Sequence, residues 1–141
     1  MDLADLTRKG FAAWNDRRFD QLLRYFHEDA LWDMTPFGLP GVGEYRGHEG
    51  LRRFFDEWLE AFPDSSIEIE DVEVREPWTL SVVVQRVSGA ASQAAVDFRY
   101  GGIGRWRDGR LEFVQNHPDM DAARRTFEEL VATTQPVDSR L

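Results

Sequence analysis

Two side chains in this sequence have the chemistry and the setting for proton transfer. Asp33 stands in the run Ala30, Leu31, Trp32, Asp33, Met34, Thr35, which reads as a strand. Turned inward beneath Trp32, its carboxyl would lose hydration and its pKa would rise, as a general base requires. With Trp32 and Met34 inside instead, Asp33 would face the outer surface. A one-residue change of register separates these readings, and both stay open. His117 precedes Pro118 at the end of the last expected strand, near the expected mouth of a cavity, where imidazole can give or take a proton at neutral pH. The same position suits a residue that merely leads the chain into a helix. His27 and His48 have less claim, since one ends an expected short helix and the other begins a long one.

No metal site is expected, because the three histidines show neither HxH nor HExxH spacing. With no cysteine, disulfides, thiolate catalysis and Cys-ligated zinc or iron–sulfur clusters are excluded. No cofactor is expected either. Asp97 and Arg99 stand two apart and share one strand face, opposite Val96, Phe98 and Tyr100. They form either a cross-strand or solvent-facing pair or, if inward, a charged constellation. Trp14, Trp32, Phe37 and Tyr45 lie near a long loop and are expected to supply aromatic walls that contact a ligand. Trp58 belongs to a helical stripe and reads as core.

These residues must be positioned by a small set of elements. Leu3, Leu6, Thr7, Gly10, Phe11 and Trp14 have helical spacing, with Gly10 either weakening the helix or clearing space beside it. Phe19, Leu22, Leu23 and Phe26 predict a shorter second helix, closed by His27–Ala30 before the strand at Ala30–Thr35. The segment from Pro36 to Gly47 carries two prolines and repeated glycines. It reads as a loop without regular structure that crosses the mouth of something. Leu51, Phe54, Phe55, Trp58, Leu59 and Phe62 give the clearest helical stripe, stopped by Pro63.

Four strands are then expected at Ile67–Arg75, Thr79–Val87, Ala94–Arg107 and Arg110–Asn116, with turns at Glu76-Pro77 and Asp108-Gly109. Ile67 and Ile69 are odd whereas Val72 and Val74 are even, so the alternation slips by one, as at a bulge that bends the strand. A last helix follows Pro118, with Met120, Ala123, Phe127, Leu130 and Val131 on one face. One domain over residues 1–131 and a polar tail over 132–141 are expected.

Composition narrows the function classes. The chain has 141 residues, is 42% hydrophobic and 13% aromatic, and so suits one globular core. No apolar run is long enough to span a membrane and the N-terminus lacks a signal pattern, so a cytoplasmic location and no membrane partner are expected. A formal charge of −9 repels phosphate backbones, and no nucleic-acid partner is expected. Arg105, Arg107 and Arg110 flank the Asp108-Gly109 turn and read as a solvated hairpin tip.

The order of elements, with the local runs FHEDALWDM, YRGHEGLRRFF and RDGRLEFVQNHPDMDAAR, resembles the SnoaL-like branch of the nuclear transport factor 2 superfamily. The resemblance spans about Leu3 to Val131. It implies an α+β fold in which a curved antiparallel sheet wraps three N-terminal helices into a cystatin-like cone with an internal pocket, plus a C-terminal helix. It also implies small apolar ligands and often a homodimer through the outer sheet face. It does not imply one reaction, because this fold hosts isomerases, cyclases, hydrolases and non-enzymatic members.

The family chemistries transfer incompletely. The ketosteroid isomerase base falls on Met34 or, aligned on the proline, on Thr35; its tyrosine falls near Gly10 or Phe11 and its second aspartate near Ile103. All three roles lack a competent group. Asp33 keeps the parity of that base, two residues earlier. Where polyketide cyclases resembling SnoaL carry an acid/base aspartate, this chain has Asn116, which can hydrogen-bond a substrate oxygen but cannot shuttle a proton. Limonene epoxide hydrolases place Arg and Asp two apart on one strand; here Arg86, Val87 and Ser88 keep only the arginine. By this resemblance Arg86 and Asn116 are expected to contact the ligand.

Two functions follow. The first is a cofactor-independent isomerase, cyclase, dehydratase or hydrolase acting on a small, largely apolar metabolite, with Asp33 or His117 as proton carrier. The second is a non-catalytic small-molecule-binding or dimerisation module. They part on whether Asp33 or His117 reaches the cavity.

Overall fold

The computed structural model describes residues 2–88 and 95–134. Helix α1 (Leu3–Asn15) begins where the Asp2 carboxylate accepts from the Asp5 N–H at 3.0 Å, supplying one of the partners a first turn lacks. It buries Leu3, Thr7, Gly10, Ala13 and Trp14 at helical spacing. Its end is tied to the sheet by Asn15, whose side-chain amide donates to the Ile67 carbonyl at 2.7 Å and accepts from the Ile67 N–H at 2.8 Å. Arg17 adds bonds to the carbonyls of Pro63 and Ser65.

Helix α2 is short (Phe19–Leu23), and strand β1 occupies Phe26–Asp33. The expectation that Phe26 extends the second helix and that His27–Ala30 closes it is therefore corrected. β1 lies parallel to β6 (Arg110–His117), pairing Phe26 with Leu111 and Trp32 with Val114, and this long-range pairing overrides the local helical spacing. An irregularity between Phe26 and Leu31 breaks the alternation that would have marked the strand in sequence.

The Pro36–Gly47 segment is also more ordered than expected. A 3₁₀ turn at Thr35–Phe37 closes on Gly38 in the left-handed region, and strand β2 (Glu44–Arg46) pairs with β1, setting Tyr45 opposite Trp32. Helix α3 (Gly47–Ala61) buries Gly50, Leu51, Phe54 and Phe55.

Strands β3 (Ser66–Arg75), β4 (Trp78–Ser88), β5 (Ala95–Arg107) and β6 form an antiparallel meander, completing a six-stranded sheet of order β2-β1-β6-β5-β4-β3. The expected bulge is present: pairing with β4 slips between Ile69 and Asp71, leaving Glu70 as the extra residue that bends the strand. Asp108 and Gly109 both have positive φ, as a tight hairpin turn requires, and Arg105 and Arg107 pair with Glu112 beside it. Ala94, the expected first residue of β5, lies outside the described residues.

Helix α4 (Met120–Thr133) is capped by Asp119, which accepts from the Asp121 N–H at 3.0 Å, and runs two residues past the expected domain end at 131. Beyond 134 the tail lies outside the described residues.

Helices lie on both faces of the sheet. α1 lies along β3 and α3 along β1 on the inner face, while α4 packs on β4, β5 and β6 from outside. The inner core includes Trp14, Leu22, Phe26, Leu51, Phe55 and Val114; Trp78, Leu80, Ile103, Ala123 and Phe127 form the outer one. α4 approaches so closely because Gly101 has no side chain, and a Cβ there would lie 2.5 Å from that of Ala123.

Candidate functional site

A cavity of about 80 Å³ lies between α1, α3 and the inner face of the sheet. One water needs roughly 10–15 Å³ of such space, so several fit. Its helix side is apolar and aromatic, with Phe11, Trp14, Phe54, Phe55 and Trp58 on the wall. Gly10 clears space beside the helix: a Cβ there would meet only Leu22 Cδ1, at 3.9 Å.

Register identifies the sheet side. Ser81 is paired with Gly102, which is paired with Asn116, and all three line the cavity. Thr79 and Gly104 form the neighbouring row, and Gln85 and Tyr100 lie on the same face. The Thr79 hydroxyl accepts from the Trp106 indole at 3.0 Å, and the Thr7 hydroxyl donates to the Leu3 carbonyl at 2.8 Å, so both are satisfied within the wall. Ser81, Gln85 and Tyr100 are buried yet have no side-chain hydrogen bond among the described residues. Asn116 makes one weak contact, from Nδ2 to Met34 Sδ at 3.3 Å. Burial pushes the Tyr100 phenol well above its ordinary pKa, so it stays a donor at neutral pH. The indole N–H groups of Trp32 and Trp58, which flank Phe54 with centroids at 5.5 and 5.8 Å, are buried without an acceptor.

Of the expected ligand contacts, Trp14, Trp32, Phe37 and Asn116 line the cavity. Phe37 reaches it from the 3₁₀ turn and meets Tyr100 edge-on at 5.9 Å. Tyr45 does not line it: it is buried one layer behind, against Phe54 at 5.0 Å, with the Arg53 guanidinium over its ring. Arg86 is turned the other way. Even-numbered positions around it on β4 face outward, and it is 54% exposed, bridging Glu68 and Asp97. Arg99 pairs with Glu70, so Asp97 and Arg99 are solvent-facing partners of other strands.

Asp33 and His117 are brought together, but on the outer face. Trp32 and Met34 line the cavity and Asp33 alternates with them; His117 and Gln115 alternate with Asn116. Asp33 is buried nonetheless. One carboxylate oxygen accepts from the Thr35 N–H at 2.9 Å and the Thr35 hydroxyl at 2.7 Å, and the other from Gln115 Nε2 at 2.9 Å. Burial pushes this carboxyl up, but the bonds from Gln115 and Thr35 outweigh it and hold the pKa below the usual range. Because a carboxylate only accepts, Gln115 must turn its NH₂ toward Asp33 and its oxygen toward His117. That fixes His117 Nε2, 2.7 Å away, as the protonated nitrogen.

Burial lowers the His117 pKa, against the raising pull of Asp33 and Asp119. The unfolded chain therefore binds more protons here below about pH 6.5, and stability falls as the pH drops through that window. Urea unfolding of His117→Asn should show a smaller loss between pH 7.5 and 5.5 than the native sequence. An equal loss in both would remove His117 as the cause.

Sequence reasoning missed Ser81, Gln85 and Gly102. The signal was available: Thr79, Ser81 and Gln85 repeat at period two along β4, and the run Gly101-Gly102-Ile103-Gly104 leaves both faces of β5 open for close approach. Among the described residues no group of His, Asp or Glu is arranged to hold a metal ion, and no helix is long and apolar enough to cross a membrane.

Residues 7–114 match the family described as the SnoaL-like domain. No curated protein matches the sequence. Among solved structures, TerC co-crystallised with polyporic acid is 16% identical, with a TM-score of 0.75 over 92% of this chain and 98% of that one. A nuclear-transport-factor-2-like protein from Burkholderia pseudomallei is 17% identical, with a TM-score of 0.74 over 90% of this chain and 98% of that one. The epoxide hydrolase/cyclase-like enzyme SalBIII, of salinomycin pyran ring formation, is 12% identical, with a TM-score of 0.68 over 82% of this chain and 88% of that one. At these identities the likeness concerns the fold. With its α+β cone and a match covering most of its length, the chain belongs to the SnoaL-like domain family.

Proposed function

We propose that this domain binds a small, largely apolar metabolite in the cavity and does so without acid–base catalysis by its own carboxylates or imidazoles. The observation that carries this reading is the wall itself: among the described residues that line the cavity there is no Asp, Glu, His, Lys or Arg. The enzymatic alternative needs a proton carrier there, and both of its candidates, Asp33 and His117, lie on the opposite face of the sheet. Structural relatives that act as enzymes, or that hold a ligand as TerC holds polyporic acid, support a ligand-accepting cone and no particular reaction. A homodimer remains part of the proposal, through the part of the outer sheet face that α4 leaves uncovered.

Indane, a neutral two-ring hydrocarbon, is a suitable first probe, and four of the tryptophans line the cavity to report it by fluorescence: Trp14, Trp32, Trp58 and Trp106. Indane should raise the melting temperature of the native sequence, because a ligand that binds only the folded state stabilises it. Gly10→Leu places a side chain in the space beside α1 and should abolish that shift while the protein still folds. Absence of any shift up to the solubility limit, or an equal shift in Gly10→Leu, would sink the reading. Arg86→Ala should leave the shift unchanged, since Arg86 bridges Glu68 and Asp97 on the far side of the sheet. A reduced shift in that variant would return Arg86 to the site.

A further inference from the structure

Resting on that reading, the geometry points to Ser81 and Asn116, set across the side-chain-free Gly102, as the subsite that selects an uncharged ligand bearing a hydroxyl at one edge. Gly102 is the shared neighbour of both residues in the sheet, so their Cα atoms stand about 10 Å apart, two strand spacings. On the inner face, among the described residues, the one atom within 4 Å of a Cβ placed on Gly102 is Asn116 Oδ1. A Cβ at Gly102 would lie 3.0 Å from Asn116 Oδ1, so that acceptor projects over the glycine rather than into a protein partner. Ser81 offers a hydroxyl that both donates and accepts, from the other side of the same gap.

Both residues are nearly fully buried, at 4% and 3% exposure, and neither hydroxyl nor amide oxygen has a hydrogen-bond partner among the described residues. Buried polar groups are paired in the great majority of cases, so two unpaired ones on one row of a cavity wall mark where a ligand or water completes the bonding. An unpaired hydrogen-bonding group also discriminates strongly against ligands that cannot satisfy it.

Charge sets the second half of the selection. The wall offers no Lys, Arg or His to a carboxylate and no Asp or Glu to an ammonium group, and an unpaired ion is costly to bury in such surroundings. The ring of the ligand lies against Phe54, Phe55 and Trp14, and its hydroxyl meets Asn116 Oδ1 as donor and Ser81 as partner. Gly102 is what lets a flat edge approach the sheet.

The test compares three probes of one shape by calorimetry: indane, 5-indanol and indane-5-carboxylate. The native sequence should bind 5-indanol at least about tenfold more tightly than indane, the scale of one well-made hydrogen bond. The carboxylate should bind more weakly than 5-indanol. Ser81→Ala and Asn116→Leu should each erase most of the preference for 5-indanol over indane measured in the same variant. Ser81→Ala is the conservative arm should Asn116→Leu fail to fold.

Failure of indane itself to bind would overturn the cavity reading. If indane binds but 5-indanol gains nothing, the carboxylate binds best, or Ser81→Ala keeps the full preference, the subsite assignment is overturned while the cavity reading stands.

Discussion

Replacing Phe55 by alanine lowers the unfolding free energy by about 3–5 kcal/mol, the cost of deleting a fully buried aromatic ring that its neighbours cannot refill. Phe55 is wholly inaccessible to solvent, stacks on Phe19 with centroids 5.6 Å apart and meets Trp32 edge-on at 5.8 Å. It therefore joins α2, α3 and β1 in one contact. Domains of this kind are stable by only about 5–15 kcal/mol, so the loss is about a fifth or more of the whole.

For a chain of this length the melting temperature should drop by roughly 10–17 °C. The m-value should stay constant if the native state remains compact. Phe55 also borders the cavity, so the variant should still bind indane once folded, with more room around it. A loss below about 1.5 kcal/mol would show that the wall collapses into the gap.

Gly101→Ala carries the second large effect, and its sign is the informative part. A glycine-to-alanine change within a strand is ordinarily favourable, because it restricts the unfolded chain. Here the new Cβ would lie 2.5 Å from Ala123 Cβ and 3.3 Å from Met120 Sδ, so α4 must move off the sheet. Overpacking of this kind costs about 1–3 kcal/mol. The expected drop in melting temperature is roughly 3–10 °C.

The helix that moves also covers Leu80 and Ile103 through Phe127, which is why the cost extends beyond one contact. Adding Ala123→Gly should recover part of the loss, seen as a favourable coupling in a double-mutant cycle. A Gly101→Ala protein as stable as the native one would mean that α4 does not dock at this distance.

Several elements were legible from spacing alone. α3 follows from Leu51, Phe54, Phe55 and Trp58, and the bulge in β3 from the change of parity between Ile69 and Val72. Local periodicity suffices there because burial of one helix face or one strand face leaves its mark on neighbouring residues. β1 was half missed because its first residues are held by pairing with β6, some eighty residues away, and by His27 on the Arg107 carbonyl at 2.7 Å. β2 was hidden in a glycine-rich segment because three residues carry too little pattern to compete with Gly41, Gly43 and Gly47 around them.

The candidate site divides along the same line. Of the residues expected to contact a ligand, Trp14, Trp32, Phe37 and Asn116 line the cavity, while Arg86 and Tyr45 do not. Arg86 was inferred from a resemblance between motifs, and such a resemblance transfers a residue type without transferring the strand face on which it stands.

The sequence by itself determined most of the element types, the α+β class, the lack of cysteine and the supply of aromatic side chains for a cavity. Only the tertiary structure decided that Asp33 and His117 share an outer-face network through Gln115, while Ser81, Gly102 and Asn116 face inward. The reason is physical. Alternation along a strand says which residues share a side, but not which side a helix will cover. Here helices lie on both sides, α1 and α3 within and α4 over part of the outer face, so burial beneath either leaves nearly the same trace in the sequence.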